Sequence, residues 1–82
     1  MARAQALCTS REALLKMIDG KYHERRVAMG MAGDQVMELW ASASGTWTLT
    51  ASRPSGLTCI AGAGQGFKLL DTPNPEATGE DL

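Results

Sequence analysis

The two cysteines are the residues whose chemistry is easiest to assign. Cys8 and Cys59 are the only ones in the 82-residue chain, and a bond between their sulfurs would close a long loop. In the chain-entropy model such a loop contributes about 4 kcal/mol, while a domain this small can have a total free energy of unfolding of only about 5 kcal/mol. We therefore predict a Cys8–Cys59 disulfide and an oxidising compartment, periplasmic or secreted. Two buried free thiols in a cytosolic protein are the alternative.

The segment before Cys8 bears on the compartment. Ala4-Gln5-Ala6 has the small-x-small pattern of a signal-peptidase site. Only five residues stand before Ala6, whereas a signal peptide needs an apolar region of about 7 to 15 residues. We expect the native start to lie upstream, so that residues 1–7 are a remnant of a signal or cleavage region; a chance match is the alternative. No apolar run reaches the roughly 20 residues of a membrane span.

His23 is the only histidine, and it adjoins Glu24. On an extended segment these neighbouring side chains point to opposite faces, and the disulfide leaves no nucleophile for the imidazole to activate. A zinc site needs three or four ligands, which one histidine and a bonded cysteine pair do not supply. We therefore expect an exposed histidine at a helix-to-strand junction, and a protein that is not an enzyme and holds no cofactor.

Three methionines offer a different chemistry. Met29 and Met31 share a face of one predicted strand, and Met37 lies across the hairpin from them. Converging thioethers are soft ligands that favour Cu(I), so a copper-binding protein is the alternative function. The competing interpretation is that methionine fills the core beneath a helix.

The glycine-rich segment Gly62-Ala63-Gly64-Gln65-Gly66 resembles a phosphate-binding loop only superficially. No helix pattern follows it, so no helix N-terminus is available to hold an anion. We expect a bend at the edge of a sheet, or a close approach to a packed side chain.

Around these residues the pattern predicts one helix followed by strands. Thr9 and Glu12 have the spacing of a capping box, and apolar residues follow at helical spacing: Leu14, Leu15, Ile18 and Tyr22. Gly20 could end this helix, or the helix could continue to Tyr22. From Arg25 the period changes to two, with turn residues about every ten positions, which predicts a four-stranded antiparallel meander.

The register of one hairpin can be predicted. A three-residue loop, Ala43-Ser44-Gly45, pairs Ala41 with Trp47 and Leu39 with Leu49. This places the apolar residues on one face, which we expect the helix to cover, and a row of threonines on the solvent face. An odd-length turn or a bulge would bring Cys59 to the helix side, where we place it.

The same register puts Trp40 outside, with Val36 and Glu38, among the threonines. An exposed tryptophan on a flat sheet is typical of a partner-binding patch, so these three residues are the predicted protein-binding site. The alternatives are that the C-terminal segment around Phe67 covers Trp40, or that a homodimer does.

The charges argue against nucleic acid as a partner. Four of the nine acidic residues lie after Leu70, which leaves eight basic and five acidic groups in the first 70 residues. Apart from Arg25-Arg26 the basic residues are dispersed, without interleaved aromatic residues for base stacking. Residues 71–82 contain prolines and acids but no apolar periodicity, and we predict a disordered tail.

The order of these motifs resembles that of small uncharacterised exported proteins of alphaproteobacteria. The resemblance lies in Cys8 before Arg11-Glu12-Ala13-Leu14-Leu15, in Gly45-Thr46-Trp47-Thr48, and in Pro54-Ser55-Gly56-Leu57-Thr58-Cys59. It covers about residues 7 to 67 and implies export, without implying an activity. The missing apolar leader is a departure from the pattern.

Together these features predict an α+β protein: one N-terminal helix packed on a four-stranded antiparallel β-meander with one disulfide. Residues 8–70 would form the single domain. The predicted function is that of a non-catalytic exported interaction module, an accessory subunit or inhibitor of a larger protein.

Overall fold

The computed structural model describes residues 7–70, which form one helix and a five-stranded antiparallel sheet. The elements are β1 (Leu7–Ser10), α1 (Arg11–Gly20), β2 (Arg25–Ala32), β3 (Gln35–Ala41), β4 (Trp47–Ser52) and β5 (Leu57–Gly64). The strands lie in the order β1-β5-β4-β3-β2. The meander of four strands is confirmed, and β1 is an additional strand. The predicted leader remnant, apart from Leu7, and the predicted disordered tail lie outside the described residues.

Strand β1 exists because the residues before the helix pair with β5. Cys8 stands directly opposite Cys59, and the two form the predicted disulfide, with a Cα–Cα distance of 3.9 Å. Short apolar-polar stretches of four residues carry little strand signal of their own. Here the covalent bond to β5 holds the strand in place.

Helix α1 begins one residue later than predicted. Ser10 is the N-cap, and its hydroxyl accepts a hydrogen bond of 3.2 Å from the amide of Ala13. Thr9 is unavailable as a cap because it lies in β1, paired with Thr58. The helix ends at Gly20, and the amide of Lys21 donates to the carbonyl of Met17. The shorter of the two predicted helices is therefore correct.

The β3–β4 hairpin has the predicted register. Ala41 pairs with Trp47 and Leu39 with Leu49. Gly45 has a φ of 100°, as a three-residue loop with a left-handed glycine requires. Hairpin geometry was predictable because only this loop length keeps the apolar residues on one face.

Strand β5 combines an odd-length turn with a bulge. The turn pairs Ala51 with Cys59, so Cys59 joins the face that carries Leu49, as predicted. Ile60, the next residue, lies opposite Thr50 on the other face, and a register shift after this pair places Leu49 opposite Gly62. One strand thus contributes the disulfide to one face and an isoleucine to the other.

The helix covers the face opposite to the one predicted. Leu14 and Ile18 pack on Trp40, and Ile60 packs against this cluster. We call this side the covered face; its other buried residues are polar, namely Glu38, Thr48, Thr50, Ser52 and Thr58. The prediction of a solvated threonine row is wrong, and so is the prediction that Cys59 lies on the helix side.

The other side of the sheet carries the more apolar strand residues. We call it the open face; it is formed by half-buried side chains of β3, β4 and β5, namely Met37, Leu39, Trp47, Leu49, Ala51 and Cys59. Helix α1 lies on the covered face, so these residues are shielded mainly by one another. The described part of the protein therefore presents an apolar sheet surface on which no helix packs; at one end of it Phe67 lies near Ala41, which is buried.

Candidate interaction surface

The predicted binding residues do not form a surface patch. Trp40 is 9% exposed, Glu38 is 1% exposed, and Val36 is half-buried beside them. The indole Nε1 of Trp40 donates a 3.0 Å hydrogen bond to the hydroxyl of Thr50, which is also buried. The prediction of an exposed Trp40 is wrong because α1 covers it. A partner cannot dock on Trp40 unless the helix moves away.

Glu38 is instead the buried centre of an ionic cluster with two partly exposed arginines. The guanidinium of Arg11 donates to both carboxylate oxygens, and Arg26 donates a further bond of 2.7 Å. Arg11 also donates to the hydroxyl of Ser52, which is hydrogen-bonded to Thr58 over 2.9 Å. A carboxylate is stable under a helix only when it is paired and hydrogen-bonded in this way.

The cluster shifts the protonation equilibria of its members. Hydrogen bonding from Arg11 lowers the pKa of Glu38 below its ordinary value, and Arg26 adds to the effect, while burial opposes it. The hydrogen bond to Glu38 raises the pKa of Arg11. Both groups are therefore charged over the whole physiological range. The cluster thus has a structural role rather than a role in proton transfer.

The three methionines do not converge on one site. Met29 pairs with Glu38 and Met31 with Val36, which places both on the side of the covered face. Met37 pairs with Gly30, which lies between Met29 and Met31 in the strand. Met37 therefore points to the opposite side of the sheet and belongs to the open face. The predicted Cu(I) site through Met29, Met31 and Met37 is wrong, because a strand alternates its side chains between faces. Within residues 7–70 no three His, Cys, Asp or Glu side chains group as metal ligands.

His23 and the glycine-rich segment have the structural roles predicted for them. His23 is exposed at the junction of α1 and β2, with a left-handed φ of 56°. Gly62 and Gly64 lie under Trp47, where a Cβ on Gly64 would come within 3.1 Å of the indole Nε1. The glycines allow the indole to lie flat across β5, which makes Trp47 part of the open face.

Basic residues flank the open face at both ends. Arg25 pairs with Ala41, which in turn pairs with Trp47, so Arg25 lies at the Trp47 end of this face. Arg53 directly follows β4 and lies at the opposite end. Both arginines are exposed. Glu38, the acidic residue within β3, lies on the covered face, bound to Arg11. The open face thus combines an apolar centre with positive ends.

The comparisons with known proteins add no family: the chain matches no protein-family model, no curated protein and no solved structure at a significant level. In the described part of the chain, α1 is too short and too polar to cross a membrane. A function must therefore be inferred from the fold and its surfaces.

Proposed function

We propose that this protein is a non-catalytic binding module of an oxidising, extracytoplasmic compartment, which acts as an accessory subunit or inhibitor by docking on a larger protein. The observation that carries the proposal is the placement of α1 on the polar side of the sheet. Within residues 7–70 it leaves Met37, Leu39, Trp47, Leu49 and Ala51 half-buried, with no helix packed on them. Contiguous apolar surfaces of this kind mark interaction sites on soluble domains.

The open face has the composition of an interface core. Trp47 supplies a large aromatic side chain, held in one orientation by Gly62 and Gly64. Tryptophan, together with methionine and arginine, is enriched at protein interfaces, and preorganised aromatic side chains lose little entropy on binding. The disulfide at one edge of this face keeps the sheet rigid before a partner arrives.

The area of the open face favours a larger partner over a second copy of this chain. Three strands about 4.8 Å apart and about 20 Å long give a face of roughly 300 Å². Two copies stacked face to face would bury about 600 Å² in total, less than the about 1,200 Å² at which stable interfaces begin. A larger protein can also contact the ends of the sheet.

Charge complementarity defines the partner further. Arg25 and Arg53 lie at the two ends of the apolar centre and are exposed. The matching surface would be apolar in the middle, with Asp or Glu at both ends. Such charges increase the association rate and select the orientation of docking.

The experiment is site-specific photo-crosslinking in the native compartment, followed by affinity measurement. A photoreactive residue at Leu39 should capture a protein that one at Lys16, exposed on α1, does not. With that protein purified, Arg25→Glu and Arg53→Glu should each weaken binding at least tenfold, and Lys16→Glu should leave it unchanged. Circular dichroism confirms that each variant is folded.

Two results would contradict the proposal. Crosslinks from Leu39 exclusively to a second copy, together with a dimer in sedimentation equilibrium at micromolar concentration, would show self-association. Equal capture from Leu39 and Lys16 would show that the open face has no preferred partner. We expect a monomer when the protein is alone.

A further inference from the structure

A cavity lies next to the covered face, and its lining also includes Trp47 of the open face. It opens between the C-terminal half of α1 and the ends of β4 and β5, and its volume is about 390 Å³. Ligand pockets for small molecules have volumes of about 300 to 1,000 Å³, so this cavity can hold a molecule of modest size. Its lining is largely apolar, with Met17, Tyr22 and Ile60 among the residues that form it.

Glu24 contributes a buried carboxyl group to the same cavity. The residue is 4% exposed, and its Oε1 accepts no hydrogen bond from the residues that the structure describes. The backbone amide of Glu24 donates to the carbonyl of Ile18 over 3.1 Å, which fixes the residue beneath the end of α1. An acceptor buried without a donor is unfavourable, so a ligand that donates to it gains affinity.

Within residues 7–70 the cationic neighbours of Glu24 in the chain, Lys21, Arg25 and Arg26, form no ion pair with this carboxyl group. The ammonium of Lys21 lies 5.5 Å from the centre of the Tyr22 ring, and the ion pairs within residues 7–70 involve Glu38 and not Glu24. The carboxylate of Glu38, by contrast, forms ion pairs with two arginines. The two buried glutamates therefore differ: Glu38 has donors from two arginines, whereas Oε1 of Glu24 has none within residues 7–70.

We propose that this cavity binds a small organic ammonium ion. Its N–H groups donate to Glu24, with Thr48 and Gln65 as further polar groups of the lining, and its apolar part contacts Met17 and Ile60. An ammonium ion is the fitting class because charge-assisted hydrogen bonds to a carboxylate are about twice as strong as neutral ones. The site differs from the proposed partner surface in its polar group, Glu24, although Trp47 lines both.

The test is a titration of the oxidised protein with benzylammonium, followed by calorimetry and by amide chemical shifts. Benzyl alcohol, which has the same ring and no charge, is the matched ligand control. We expect saturable binding of the ammonium at least tenfold tighter than that of the alcohol, with shift changes centred on Glu24 and Thr48. Equal affinity for the two compounds, or shift changes elsewhere, would overturn the proposal.

Two variants locate the site. Glu24→Gln keeps the shape of the side chain and should weaken ammonium binding at least tenfold, while Glu12→Gln, an exposed acid on α1, should not change it. Ala63→Leu adds volume to the lining without touching Glu24 and should also weaken binding. If Glu24→Gln does not fold, the affinity of Ala63→Leu for the ammonium ion tests the location of the site. Unchanged affinity in a folded Glu24→Gln protein would show that Glu24 bonds a water molecule rather than a ligand.

Discussion

Arg11, the first residue of α1, donates hydrogen bonds to both carboxylate oxygens of Glu38 in the middle of β3. Side-chain pairs of this kind are bidentate and fix orientation as well as distance. The pair joins the start of the helix to the face of the sheet that carries Glu38. Farther along the helix, Leu14 and Ile18 pack on Trp40.

Replacing Glu38 should therefore destabilise the whole domain. In Glu38→Gln the two arginines keep their charge and lose the carboxylate, which we expect to cost about 2 to 3 kcal/mol of unfolding free energy; the loss is below that of a fully buried pair because both arginines are partly exposed. Urea denaturation measures the change. Glu12→Gln, an exposed acid of α1, is the control and should change stability by less than about 0.5 kcal/mol. Equal effects of the two substitutions would contradict the role of the cluster.

The pH dependence of stability follows from the same carboxylate. The pKa of Glu38 is lower in the folded than in the unfolded state, mainly because of the hydrogen bond from Arg11. Its contribution is therefore complete above the unfolded pKa, near pH 4, and is lost as the pH falls through the lower folded pKa. As the pH falls from 5 into the acid range, the free energy of unfolding should decrease more for the wild-type protein than for Glu38→Gln. Parallel pH profiles for the two proteins would show that Glu38 is not the responsible group.

The disulfide should account for most of the stability. It joins residues 51 positions apart, and a loop of this size corresponds to about 4 kcal/mol in the chain-entropy model. The double variant Cys8→Ser with Cys59→Ser should be largely unfolded at 37 °C, as should reduced wild-type protein. Thermal unfolding followed by circular dichroism, with oxidised wild-type protein as the reference, measures this. A cooperative transition of the variant within a few degrees of wild type would contradict it.

The two tryptophans should differ in their access to solvent. Trp40 is buried under α1, while Trp47 is half-buried on the open face. In Trp47→Phe the remaining Trp40 should emit at shorter wavelength and resist quenching by acrylamide. In Trp40→Phe the remaining Trp47 should be quenched more strongly. The reverse order would mean that the helix covers the opposite face.

The two glycines under Trp47 provide a matched pair of substitutions. A Cβ on Gly64 would lie 3.1 to 3.2 Å from the indole ring, closer than ordinary contact, whereas one on Gly62 would lie at 3.5 Å. Gly64→Ala should displace the ring and destabilise the domain by about 1 kcal/mol relative to Gly62→Ala. Near-ultraviolet circular dichroism and urea denaturation report the two effects. Identical behaviour would show that the indole does not lie against Gly64.

Local features of the fold were predictable because they depend on neighbours in sequence. The Ala43-Ser44-Gly45 loop has one length that keeps Leu39 and Leu49 on a common face, and the structure has that register. The cysteine pair was predictable from size and composition. Strand β1 was not predictable, because its four residues become a strand only when Cys8 pairs with Cys59.

The choice of face for α1 required the tertiary structure. Sequence periodicity by itself determined which residues share a face, but not which face the helix covers. Hydrophobicity pointed to the Leu39 side, whereas the folded protein packs α1 on the side of Glu38 and Trp40. The physical reason is that buried polar groups become acceptable once partners from distant segments satisfy them, and Arg11, Arg26, Ser52 and Thr58 meet around Glu38 only after the sheet has formed.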